Sequence, residues 1–380
     1  MKLQVFLIAV VLLVQGCGDQ GGESPVEDPF QVPLDTLEVA LRIGTEYGDS
    51  TDAFGAIMDA EILDDGSILV LDRVYADIRL YDPDGEYTRH ITRRGSGPGE
   101  LVMPWDMFMS VDGRLVVMDP GKQGLIVFDD SLEFSEELRL WQQNPAFQSC
   151  AVSDSQFAGY KADLDITDTE VLITRRVALY HYGDEDWDMV FWSDTVSLPI
   201  DDVRRDRSLL FNNIEEPLVI CADRSGSVFF SLKEPDHYSV MKWDASGTEL
   251  LNITSDIPPV RKSMEEMEAE SIYVTNYVNR GGDGSIEWEF QPEPFRNMVT
   301  DLGIGPDGNL WVRNGTYDRP VFDIYDTSEG ELIGRALFPA DGWSWKFEIC
   351  RNGILAWEED PEAGFQVLCV LDRSSGPGRD

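Results

Sequence analysis

The groups in this chain that could do chemistry are three histidines, many carboxylates, five cysteines and one glycine-rich loop. His90, His181 and His237 fall on third or outer strand positions. They read as packing histidines and make poor partners for an axial metal. Asp301, Asp154, Asp223 and Glu61 sit near inner strands, but no spacing singles them out as a ligand set. Acidic residues at turns are usually turn formers. The loop Gly95-Ser96-Gly97-Pro98-Gly99 lacks the lysine and the following helix of a phosphate cradle. It reads as a connection that needs glycine backbone freedom. No Gly-x-Ser-x-Gly elbow is present, which leaves a serine hydrolase without an anchor. The segment Asp82-Pro83-Asp84-Gly85-Glu86 has the wrong ligand spacing for a calcium loop. No catalytic set emerges, no cofactor is expected, and the metal question stays open.

The elements that would position these groups repeat. Gly66-Ser67-Ile68-Leu69-Val70-Leu71-Asp72, followed by Ile78-Arg79-Leu80-Tyr81-Asp82, aligns with Gly113-Arg114-Leu115-Val116-Val117-Met118-Asp119, followed by Ile126-Val127-Phe128-Asp129. The two start 47 residues apart. Short strands with Asp-Gly turns at this period predict a β-propeller. Four-stranded antiparallel blades follow, with turns at Asp64-Asp65-Gly66, Ser225-Gly226 and Pro306-Asp307-Gly308. Blade three is irregular. Val260–Arg280, rich in Met, Glu and Ala between Pro258-Pro259 and Gly281-Gly282, predicts a helical insert between blades four and five. The last blade offers three strands, and Leu37–Gly44 has no partner at the start. Pairing it with Gln366–Leu371 closes six blades and removes two sheet edges. The expected fold is therefore an all-β, six-bladed propeller spanning residues 36–373, followed by a tail at 374–380. Trp141, Trp192, Trp243, Trp311 and Trp357 read as packing between blades.

The N-terminus predicts export. Met1-Lys2 is a short basic start, Leu3–Val14 is apolar apart from Gln4, and Val14-Gln15-Gly16-Cys17 has the pattern of a lipoprotein cleavage site. Residues 1–16 would be the signal peptide, Cys17 the lipidated residue, and 17–35 a flexible tether. The chain would then sit in a bacterial cell envelope, facing the periplasm or the exterior. The formal charge is −41. Such a surface repels phosphate backbones, so nucleic acid is excluded as a partner. It also suits a high-salt habitat, where screening weakens self-repulsion. Cys150, Cys221 and Cys350 map to innermost strands of three blades and Cys369 to a third strand, which predicts free thiols.

The stretch Arg94-Gly95-Ser96-Gly97-Pro98-Gly99-Glu100-Leu101…Pro104, with Val111–Asp119 and Ile126–Asp129, resembles the NHL repeat. It is closer still to bacterial six-bladed propeller lipoproteins. Arg42-Ile43-Gly44, the late helix, Pro294-Phe295 and Gly308-Asn309-Leu310-Trp311-Val312 extend the likeness to roughly Leu37–Asp372. The usual Asn-Arg before the third strand is Gln123-Gly124 here. The resemblance implies the fold and leaves function open. The first expectation is a lipid-anchored module that binds or scaffolds a protein or small ligand. Met264, Met267 and Phe295 are candidate ligand-facing residues at the mouth beside the insert. The rival is a metal-dependent propeller hydrolase or lyase, similar to gluconolactonases, with an axial divalent ion.

Overall fold

The computed structural model describes residues 32–46, 51–140, 146, 148–184, 186–206, 208–214, 217–279, 290–339, 344–358 and 365–374. The signal peptide, Cys17, most of the tether, Trp141 and most of the C-terminal tail lie outside these residues.

Blade one comprises β2 (Ile57–Ile62), β3 (Ile68–Asp72), β4 (Asp77–Tyr81) and β5 (Tyr87–Thr92). Blade two comprises β6 (Asp106–Met109), β7 (Leu115–Asp119), β8 (Gly124–Phe128) and β9 (Phe134–Arg139). Blade three contains β10 (Gln148–Ala151), β11 (Gln156–Ile166), β12 (Glu170–His181) and β13 (Trp187–Pro199). Blade four contains β14 (Leu218–Ala222), β15 (Val228–Leu232), β16 (Tyr238–Trp243) and β17 (Glu249–Ser255). Blade five is β18 (Val299–Ile304), β19 (Leu310–Asn314), β20 (Val321–Tyr325) and β21 (Leu332–Leu337). Blade six has β22 (Trp345–Cys350), β23 (Gly353–Glu358) and β24 (Leu368–Ser374). Its fourth strand is β1 (Leu34–Ile43), antiparallel to β24 from Thr36↔Ser374 to Ile43↔Leu368. β1 also runs parallel to β21 over Leu34–Thr36, so one strand welds blades five and six into an eight-stranded sheet. The innermost strands touch in a closed cycle: β2, β6, β10, β14, β18, β22 and back to β2. That cycle is the six-bladed ring.

The repeat explains the core. In β3 and β7 every residue is buried, because a middle strand is covered by blades on both faces. Leu69, Leu71 and Ile78 of blade one interlock with Met107, Leu115 and Val117 of blade two. Gly66 and Gly113 take φ of 86° and 85° at equivalent tight turns, where a side chain would be strained. At the other end of the second strands, Asp72 and Asp119 hold the loop that leads into their own blade. Asp72 accepts from Gly55 N at 2.7 Å and Tyr75 N at 3.0 Å. Asp119 accepts from Val102 N at 2.7 Å and Met103 N at 3.0 Å.

Three departures from the sequence reading stand out. Beside the long β12 of 12 residues, which the sequence indicates, β11 and β13 also run 11 and 13 residues, so blade three projects beyond the ring. Two short helices that the sequence pattern did not reveal, α1 (Ile200–Arg205) and α2 (Ser208–Ile214), pack Val203, Leu210 and Ile214 against that projection. The insert helix starts later than expected, α3 (Met264–Asn279). Ser263 caps it: its hydroxyl accepts from Glu266 N, and Glu266 accepts from Ser263 N.

Candidate functional site: the channel and the decorated face

Strands alternate in direction within each blade, so the connections sort onto two faces. The plain face carries the tight turns between first and second and between third and fourth strands. The opposite, decorated face carries every long connection: the Gly-rich loop, α1 and α2, α3, the projecting hairpin, and the chain from β1 to β2.

The channel between the faces is lined by the innermost strands. Asp59 and Glu61 come from β2, Asp106 from β6, Asp301 from β18 and Glu348 from β22. Cys150 and Cys221 hold comparable places on β10 and β14, and Cys350 ends β22. Four of the six inner strands therefore carry carboxylates and the other two carry thiols, with Cys350 on the carboxylate side. Two of the acids are placed by a local device. A β-bulge falls between Ile57 and Asp59, and another between Val299 and Asp301. Each bulge re-aims an aspartate, whose carboxylate then accepts from the next backbone N–H, Ala60 at 2.7 Å and Leu302 at 2.9 Å. Asp59 also accepts from Met107 N at 2.8 Å and so stitches blade one to blade two.

Burial pushes all five carboxyls up, since leaving water disfavours the charged form. Asp59 is pushed up to about 6. Glu61 is pushed up to about 7, by burial and then by the Asp59 charge. Asp106 and Glu348 are driven well above the usual range and Asp301 is raised, again by burial first. The charges of Asp59, Asp301, Glu61 and Asp106, all on inner strands, add to the effect of burial on Glu348. The thiols of Cys150, Cys221 and Cys350 are also raised by burial, so they are weak nucleophiles. All four described cysteines are free, as the strand map required.

Of the four acids weighed from sequence, the fold brings Glu61 and Asp301 to the channel and leaves Asp154 and Asp223 outside it. Asp223 closes the β14–β15 turn and pairs with Lys242 at 3.3 Å. Asp154 borders a shallow cleft of about 470 Å³ on the plain face, with Arg114, Glu136, His181 and Tyr182. Sequence reasoning missed Asp59, Asp106 and Glu348. The available signal was an acid breaking an apolar inner strand, as in Ile57-Met58-Asp59-Ala60 and Val299-Thr300-Asp301-Leu302. Among the described residues no three His, Cys, Asp or Glu side chains come close enough to hold a metal ion.

At the insert, Met264 is 88% exposed at the start of α3, Met267 is half-buried, and Phe295 is half-buried under the Arg261 guanidinium. α3 is tied down by Arg296, which pairs with Glu266 at 2.7 Å and Asp318 at 2.9 Å. No described helix is long and apolar enough to cross a membrane.

Comparison with known proteins speaks for the fold. The model of the DUF5128 family, a 6-bladed beta-propeller, matches residues 51–183. A solved member of the duf4221 family from Bacteroides vulgatus is 12% identical, with a TM-score of 0.50, covering 90% of this chain and 99% of that one. A Bacteroides fragilis protein is 11% identical at a TM-score of 0.43, covering 90% and 99%. The calcium-binding protein regucalcin from Agrobacterium tumefaciens is 10% identical at a TM-score of 0.39, covering 89% and 96%. No curated protein matches the chain. The closed cycle of inner strands, the last blade completed from the N-terminus and the matched blades agree: this chain is a six-bladed β-propeller, similar over residues 51–183 to the DUF5128 family.

Proposed function

We propose that this chain is an exported, lipid-anchored propeller that works as a binding or scaffolding module in a bacterial cell envelope. One observation carries the reading: every elaborate connection gathers on one face, while the other face carries tight turns. Loops on a rigid scaffold are where recognition is built. The position of the N-terminus supports it. β1 leads to β2 across the decorated face, so Leu34 starts at the plain face. A tether from Cys17 would therefore join the propeller on the plain face and leave the decorated face free for a partner.

Photo-crosslinking in intact cells tests the binding face. A photoreactive residue at Met264 or Ile272, both on exposed helix surface, should give a discrete adduct. The same residue at Asp65 or Asp84, in plain-face turns, should not. Adducts from the plain face alone would reverse the assignment. Lipid attachment is tested separately: acyl-label incorporation should vanish in Cys17→Ser, and equal labelling of both chains would refute the anchor.

A further inference from the structure

On a chain with 71 acidic and 30 basic residues, one exposed patch has the opposite character. On the decorated face of blades one and two, Val74, Tyr75, Val102 and Met103 are 51%, 46%, 39% and 43% exposed. They are contiguous through Arg94. Its Nε and Nη2 donate to the carbonyls of Tyr75 and Val74, and its backbone bridges Leu101, the neighbour of Val102. The Asp72 and Asp119 clamps fix both loops from below, so the patch is preformed. Among the described residues Arg94 has no carboxylate partner; two main-chain carbonyls hold its guanidinium. Three of its five N–H donors remain for a ligand. Arg93, 81% exposed, lies beside it and meets Glu100 at 3.6 Å.

We propose that this patch docks an extended peptide segment of a partner protein, in which a carboxylate is flanked by apolar side chains. The carboxylate takes the end of the Arg94 guanidinium, and the apolar side chains cover Tyr75, Val102 and Met103. The inference rests on the binding-module reading and supplies the chemistry of its partner. Charge complementarity selects this occupant. A fixed guanidinium gives a two-point grip on a carboxylate at little entropic cost. A second copy of the chain brings its own large negative charge and general repulsion. An anionic membrane repels the molecule for the same reason. A patch this small supports transient binding, with a Kd in roughly the micromolar range.

The test is selection of a random dodecapeptide phage library on the immobilised full chain, with wild type compared against Met103→Glu and Arg94→Glu. Selected peptides should be enriched in Asp or Glu next to Leu, Ile, Phe or Tyr. Their synthetic versions should bind each variant at least tenfold more weakly. Met103→Glu changes an exposed side chain and keeps the test valid if Arg94→Glu unfolds. Absence of selected peptides, absence of acidic enrichment, or affinities within twofold of wild type on Met103→Glu would overturn the proposal. So would a wild-type dimer dissolved by Met103→Glu, or flotation with anionic vesicles abolished by it. Peptides that bind but ignore the patch variants would overturn this assignment alone and leave the binding module standing.

Discussion

Glu61 and Asp59 make stability depend on pH in a direction opposite to that of most surface carboxylates. Their pKa values rise from 4.5 to about 7 and from 3.8 to about 6 on folding. The folded state therefore binds these protons more tightly than the unfolded chain. Their contribution is fully present below about pH 4 and is lost as pH rises through 6 to 7. The melting temperature should fall between pH 5 and pH 8. Replacing Glu61 by Gln removes one group that must ionise in the channel. At pH 8 that variant should be more stable than wild type by about 2–3 kcal/mol, and at pH 5 by less than about 1 kcal/mol. Urea titrations at the two pH values measure both; an equal effect at both would refute the channel account. The thiols give a second expectation at this scale. Unfolded, unreduced Cys17→Ser protein should show four reactive thiols, and native protein should react slowly, because burial raises the channel thiols. Two or none on unfolding would mean a disulfide.

The clamps and the closing strand decide stability among the elements. Asp119, fully buried, accepts from Val102, Met103 and Lys122 N–H groups. Asp119→Ala should cost about 2–4 kcal/mol, since several donors lose their partner together. Asp72→Ala should cost at least as much, because it also strips a carboxylate from Arg79, which is 1% exposed. A cost below about 1 kcal/mol for either in denaturant unfolding would deny the clamps this role. Deleting residues through Gly44 should destabilise the whole ring, whereas deletion through Asp28 should not; equal melting temperatures would contradict closure by β1. The blades were legible because turn chemistry and apolar runs are local and repeat at one period. Blade three was only partly legible: α1 and α2 pack on β12 and β13, and their contact residues Ile200, Val203, Leu210 and Ile214 show no period a strand map detects. The channel acids were half legible. Glu61 and Asp301 lie on recognisable inner strands. Asp59 shares the inner strand of Glu61, but its tie to Met107 N–H of the next blade is a contact between blades that no local pattern reveals.

At the scale of the whole molecule the dominant property is charge. With a net charge of −41, self-repulsion weakens as salt screens it. The melting temperature should rise by several degrees between 0.05 M and 1 M NaCl at pH 8 and rise less at pH 5, where part of the channel is protonated. A flat response at both pH values would remove repulsion from the account. The shared strand β1 has a mechanical consequence. It starts at the plain face, lies along β24 for most of its length, and touches β21 at its first three residues. Tension drawn through the N-terminus runs along the strand axis, so the cross-strand bonds to β24 are loaded in shear, together, instead of being peeled one by one. The parallel contact at Leu34–Thr36 passes part of that load to a second blade. Hauled by its leash, the ring would resist as a rope under a clasp resists, and it would yield first where β1 lies along β24 in blade six, before any other blade came undone.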